Sequence, residues 1–196
     1  AFSRVIGALR ADIPDFTLSI HAASDWDTCP SKVEHCREAI AEANIVIVTM
    51  LFMEPHIKAI LPALSARRDD CDAMVCCMSA GEVMKLTRMG RFDMGSEPKG
   101  AAALLKKLRG KSRQESGSNN GAAQLRMLRR LPRILRFVPG TAQDVRIYFL
   151  TLQYWLAGSQ VNLERMVRML VQRYASGPRA GLRELAPAAA PVEDPE

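Results

Sequence analysis

No apolar run in the 196 residues approaches the roughly 18 that a membrane-crossing helix requires. No charged, then apolar, then small-residue leader opens the chain. The expected location is cytoplasmic. The phosphate loop GxxxxGKS/T is absent, as are GxGxxG, GxSxG, HExxH and a CxxC pair. Nucleotide hydrolysis by this chain alone is therefore not expected. The five cysteines are odd in number and irregularly spaced, which fits reduced thiols better than a disulfide framework.

What is present suffices for a real core. Apolar residues make up 48% and charged residues 24%, ordinary values for a globular protein. The net charge of +6 hides a division: residues 1–100 sum to −3 and residues 101–196 to +9. A positive second half suits an acidic partner, nucleic acid or an anionic surface.

Around NIVIVTMLFME, Asn44 to Glu54, the rest can be arranged. Ile45 to Thr49 are β-branched, as expected of a strand buried on both faces with helices above and below. Before it, Phe2, Val5, Ile6 and Leu9 have helical spacing. Phe16, Leu18 and Ile20 then alternate with Thr17, Ser19 and His21, which predicts a flanking strand. Pro30 opens a helix with Val33, Cys36, Ile40 and Ala43 on one face. After the central strand, Pro55 opens a helix with Ile57, Ile60, Leu61 and Leu64 inward, which Pro62 should kink. Ala73 to Met78 reads as a third strand, and Ser79 with Glu82 as a capping box for a helix ending near Gly90.

This alternation predicts an α/β fold: a small parallel, doubly wound, flavodoxin-like sheet lacking its first strand, followed by a C-terminal helical region. An opening strand is expected in front of the first residue. The expected division is an α/β domain over 1–92, a basic helix and flexible linker over 93–123, a helical region packed on the α/β domain over 124–176, and a linker-like tail over 177–196. Within the third part, Thr141 and Asp144 form a second cap-like pair. Val145, Tyr148, Phe149, Leu152, Trp155 and Leu156 make the apolar face of the helix that follows. Ser159 caps a last helix with Leu163, Met166, Val167, Leu170 and Tyr174 inward.

Open parallel sheets bind ligands beyond the carboxyl ends of their strands. The candidate ligand or partner contacts there are Glu54 and His56 after one strand, and Ser79 and Glu82 after the next. They can hold an anion or accept protons; the plainer reading makes Ser79, Glu82 and Glu54 helix-terminus residues and His56 solvated. Tyr154, off the main stripe of its helix, is a further candidate. Cys29, His35 and Cys36 form one group and Cys71, Cys76 and Cys77 another, but neither spacing forces a metal site, and core packing is the simpler reading for Cys36, Cys76 and Cys77. No metal ligand is assigned. Between Lys106 and Arg136 stand ten basic residues against one acid, Glu115. Without interleaved aromatics this block does not suit nucleic acid, and Arg129, Arg130 and Arg133 become a candidate interface.

The strings ANIVIVTMLFMEPHI, CMSAGEVMKLTRMGRF, LLKKLRG, PGTAQDVRIYFLTLQYWLAGS and VRMLVQRYA resemble the N-terminal region of the magnesium chelatase H subunit family, in its bacteriochlorophyll-pathway form. The resemblance covers essentially the whole chain. It implies a subunit that binds protoporphyrin IX and, with two AAA+-type ATPase subunits, inserts Mg2+ at the expense of ATP. The family protein is several times longer, so this piece is expected to be its first domain, structural or docking rather than catalytic. No catalytic residue is carried over, and no cofactor is expected on this chain alone. Further partners implied are protoporphyrin in the full-length subunit and the next pathway enzyme. The alternatives are part of a cobaltochelatase large subunit acting on a corrin precursor, or a non-enzymatic anion- or partner-binding module.

Overall fold

The structure is a computed structural model that describes residues 2–13, 15–96, 132, 135–136, 139–185 and 190–192. The helix and linker read over 101–121, most of the helix read over 124–138, and Arg129, Arg130 and Arg133 lie outside the described residues.

Helix α1 (Phe2–Asp12) is followed by a 3-10 turn (Ala23–Asp25), α2 (Ser31–Glu42), β1 (Ile45–Thr49), α3 (Glu54–Arg67) and β2 (Ala73–Cys77). A single turn of helix, α4 (Gly81–Met84), leads into the short strands β3 (Arg88–Met89) and β4 (Phe92–Asp93). Helices α5 (Thr141–Ala157) and α6 (Gln160–Tyr174), a second 3-10 turn (Gly177–Arg179) and the short α7 (Leu182–Leu185) complete the described elements. Pro30 stands just ahead of α2, and α3 accepts Pro55 in its first turn, where no intrahelical N–H is needed. Pro62, exposed, lies within α3, which runs continuously through it.

The chain is thus α/β with a C-terminal helical region, in three layers. The sheet order is β1-β2-β3-β4, with β1 parallel to β2 and the other two pairings antiparallel. One face is covered by α2, α3 and the loop before α2, through Trp26, Cys36, Ile40, Ile57, Ile60 and Leu64 against Val46, Val48, Met74 and Cys76. The other is covered by α1, α5 and α6, packed on Ala73, Val75 and Cys77.

Three sequence expectations are corrected here. The strand buried on both faces is β2, all five residues of it; β1 alternates, with Val46 and Val48 buried and Ile45, Ile47 and Thr49 half-buried, because it lies at the edge of the sheet. Residues 16–21 form no strand. Alternation supplies a face to bury, but a strand also needs a neighbour for its N–H and C=O groups. The third correction is the helix read from Ser79 to Gly90. It stops after one turn because Thr87, fully buried, turns its hydroxyl onto β2, accepting from Cys76 N at 3.1 Å and donating to Cys76 O at 3.0 Å. The chain then forms a hairpin across Gly90 and Arg91, with Gly90 at φ +57°. A Gly-X pair between two short apolar runs, Met89-Gly90-Arg91-Phe92, is the turn signal that reveals this hairpin.

Because β2 contacts both cores, truncating it should be costly. Met74→Ala is expected to destabilise by about 2–5 kcal/mol, against less than about 0.5 kcal/mol for Ile20→Ala at an exposed position. Urea titration checks both; a Met74→Ala loss as small as that of Ile20→Ala would contradict the central role of β2.

Candidate functional site

The carboxyl ends of β1 and β2 are joined by a compact set of bonds. Met50 and Met78, the residues directly after the two strands, both adopt left-handed backbone, at φ 60° and 47°. For side chains other than glycine this conformation costs about 1–2 kcal/mol each. Met50 N donates to Met78 O at 3.0 Å and Ala80 N to Leu51 O at 2.9 Å. Ser79 is buried between them, its Oγ accepting from Leu51 N at 3.2 Å and donating to Cys77 O at 3.1 Å. Ser79 therefore clamps two loops and makes no helix cap; the residue flanking α4 is Ala80, with no side-chain cap bond. The turn after β1 pushes Met50, Phe52 and Met53 outward, at 55%, 57% and 60% exposure. An exposed apolar lip of this kind suits contact with another surface.

Glu54 and Glu82 are exposed beside this lip, each in the first turn of a helix. Glu54 pairs with Lys58 at 2.6 Å. His56 is not solvated: it is buried, its Nε2 lies 3.0 Å from Asp27 Oδ1, and its ring meets Trp26 edge-on at 5.6 Å. The pair anchors the loop before α2 to α3. Tyr154 is wholly buried, and burial pushes its hydroxyl up to about 12. That helix rolls its apolar face away from Leu156, which is 52% exposed, because Tyr154 rather than Leu156 reaches the core. The structure thus gathers Glu54, Ser79 and Glu82 near the strand ends, while His56 and Tyr154 serve packing.

The densest polar constellation lies at the opposite end of β2 and was missed in the sequence. An open cleft of about 710 Å³ is lined by Asp69, Asp72, Arg88, Arg91, Asp144 and Arg173 among others. Asp144, expected to cap α5, is 3% exposed. Its Oδ1 accepts from Tyr174 Oη at 3.0 Å and from Arg173 at 3.3 Å, and its Oδ2 accepts from Arg91 N at 3.0 Å. Burial, together with the Asp144 charge and hydrogen bond, pushes the Tyr174 hydroxyl well above its ordinary value. A Cβ on Gly90 would come within 2.8 Å of Asp144 Oδ2, so glycine is required there by space as well as by φ. Asp72, just before β2, receives Ser176 Oγ and a forked set of bonds from Arg179 at 3.1 to 3.3 Å. The two carboxylates hold the end of α6 and the turn after it against the sheet. Chemically this is a charge-assisted lock.

The thiols follow burial. Cys76 and Cys77, inside β2, are pushed up to about 12 and about 11 by desolvation, and burial also raises Cys36 and Cys71. Cys29, half-buried, is lowered, chiefly by its hydrogen bond with Ser31. Among the described residues no group of three or more His, Cys, Asp or Glu is placed to hold a metal ion, and no helix is long and apolar enough to cross a membrane.

Asp144→Ala should cost about 3 kcal/mol, because it strands buried donors, whereas Arg173→Ala, which removes an exposed side chain and leaves Asp144 its bonds from Tyr174 and Arg91 N, should cost less, about 1 kcal/mol. Gly90→Ala should lose about 1–2 kcal/mol, and less when combined with Asp144→Ala, since both act on one contact. Additive losses in a denaturation cycle would contradict the shared contact. The raised thiols make a separate prediction. A group held protonated in the folded state contributes stability below its unfolded value, near pH 9.0 here, that is lost as pH climbs through the folded values of about 11 and about 12. The urea midpoint should therefore fall between about pH 8 and about pH 10.5. Alkylation at neutral pH should mark Cys29 in the native protein and Cys76 and Cys77 only after unfolding; native labelling of Cys76 would contradict this.

The family described as "Domain of unknown function (DUF3479)" matches residues 1–149. The magnesium-chelatase H subunit of Cereibacter sphaeroides is 50% identical over 194 residues, covering 99% of this chain and 16% of the relative. The corresponding protein of Rhodobacter capsulatus is 45% identical over 195 residues, again 99% and 16%. The chloroplastic ChlH protein of Oryza sativa subsp. japonica, also a magnesium-chelatase subunit, is 31% identical over 136 residues, 69% of this chain and 10% of that protein. The chain therefore spans only 16% of the length of the first two relatives. A family match over most of its residues, and 45–50% identity across nearly all of them, establish that this chain belongs to the DUF3479 family and is a segment of magnesium chelatase H-subunit type.

Proposed function

We propose that this chain is a structural and docking part of a magnesium chelatase H subunit and does not itself catalyse. In the complete complex that subunit binds protoporphyrin IX, and two AAA+-type ATPase subunits couple ATP hydrolysis to insertion of Mg2+ for chlorophyll or bacteriochlorophyll synthesis. The observation that carries this reading is the 50% identity across 99% of the chain to a protein of which it matches 16%. The local chemistry agrees with it. His56 is engaged by Asp27 and Trp26, Cys76 and Cys77 are sealed inside β2, and Asp144 and Asp72 lock the C-terminal helices to the sheet.

Two surfaces suit docking. One is the apolar lip of Met50, Phe52 and Met53, flanked by the carboxylates of Glu54 and Glu82. The other is the basic stretch with Arg129, Arg130 and Arg133, whose charge suits an acidic face of a partner subunit.

The isolated chain should form no Mg-protoporphyrin when mixed with the ATPase subunits, Mg2+ and ATP, while the full-length protein does; product from the isolated chain refutes the reading. Charge reversal at Arg129, Arg130 and Arg133 in the full-length protein should weaken assembly with the ATPase subunits by roughly tenfold or more, with an unchanged circular dichroism spectrum. Assembly at the unaltered affinity would remove that surface from the proposal.

A further inference from the structure

The cleft at the Asp144 end of β2 is lined by four guanidinium groups, those of Arg88 and Arg91 from the β3-β4 hairpin, Arg173 from α6 and Arg183 from α7. Four carboxylates share it, Asp69, Asp70, Asp72 and Asp144. The charges match in number, but their hydrogen bonds do not. Asp72 takes Ser176 and Arg179, and Asp69 takes Arg68 at 3.0 Å, so both are met by arginines that do not line the cleft. Arg68 also binds Asp93 at 2.6 Å. Asp144 accepts from Tyr174, Arg91 N and Arg173. Asp70 is exposed, and among the described residues its carboxylate has no partner.

Three of the guanidinium groups keep N–H donors in hand. Arg91 gives its main-chain N–H to Asp144, while its exposed side chain has no hydrogen-bond or ion-pair partner among the described residues. Arg173 is 46% exposed and uses one nitrogen, on Asp144 at 3.3 Å. Arg183 uses its Nε on Ala175 O at 2.7 Å, which leaves both terminal nitrogens. Asp144 ties the hairpin to α6: one oxygen binds Arg173 and the other the backbone of Arg91, so these two side chains spring from one fixed carboxylate. Arg88 is different, since its Nε and one terminal nitrogen are bound to the carbonyls of Arg68, Asp69 and Cys71. It shapes the cleft more than it serves it.

We propose that this cleft binds a small oxyanion of two or more charges, of phosphate or carboxylate type, held by Arg91 and Arg173 with Arg183 beside them and opposed by Asp70. A guanidinium fork with unused N–H groups fits the paired oxygens of either class. The cleft is concave and its volume of about 710 Å³ lies in the range of small-ligand sites. A small molecule therefore suits it better than the face of a partner subunit. The site goes beyond the docking role proposed above and does not rest on it.

Equilibrium dialysis of inorganic pyrophosphate and, separately, of citrate against the full-length protein tests this, at constant ionic strength and without porphyrin, Mg2+, ATP or ATPase subunits. At least one ion should bind saturably; pyrophosphate alone assigns the site to phosphate-bearing ligands, and citrate alone to carboxylates. Arg91→Ala should weaken that binding about tenfold. The urea midpoint should not move, because the side chain removed has no partner and the backbone bond to Asp144 remains. Asp70→Asn should tighten binding about twofold or more by removing a like charge. Lys58→Ala, on α3 at the other end of the sheet, should leave it unchanged. Binding of neither ion, equal affinity in the unaltered protein and Arg91→Ala, weaker binding in Asp70→Asn, or a loss from Lys58→Ala as large as that from Arg91→Ala overturns the proposal. Since no chelatase substrate or partner takes part, failure of the proposed chelatase role would leave the outcome unchanged.

Discussion

β2 has no solvent face, and most of the architecture follows from that. Ala73, Val75 and Cys77 point into one core and Met74 and Cys76 into the other. Five residues with no exposed side require helices above and below and partners on both edges, since a buried N–H or C=O without a partner is costly. β1 supplies one edge. On the other, β3 is only two residues long, and the hydroxyl of Thr87 extends the pairing by serving both polar groups of Cys76.

The same demand explains the two buried carboxylates. The layer over α1's face is made of α5 and α6, which lie more than sixty residues downstream of β2. Apolar packing attracts them but is not directional. Asp144 and Asp72 supply direction: one reads Tyr174, Arg173 and the hairpin backbone, the other reads Ser176 and Arg179. Arg168 adds a link from α6 to Asp12 of α1. Polar groups at this end of the sheet therefore hold layers together, while the opposite end presents an apolar lip. That division turns the familiar ligand end of an open α/β sheet into a surface suited to contact.

Local pattern was legible where a single element decided the outcome. The starts of α2 and α3 at Pro30 and Pro55, the Ser159 cap that accepts from Asn162 N, and the stop of α5 at Gly158 are all set by residues within a turn of the event. The family strings were legible too, because they are long and unusual. Asp144 was not: Thr-x-x-Asp reads as a cap, and nothing nearby announces that Tyr174, thirty residues later, meets it. Ser79 misled for the same reason, its partners being Leu51 and Cys77 rather than the turn of helix it precedes.

By itself the sequence determined α1, α2, α3, α5 and α6, the two parallel strands and the kinship, since periodicity, caps and strings are properties of neighbouring residues. Only the tertiary structure decided which strand is central, that residues after Ser79 turn into a hairpin, and that His56, Tyr154 and Asp144 are interior. Each of those outcomes depends on which distant group competes for a backbone bond or for buried space, and a one-dimensional pattern carries no term for that competition.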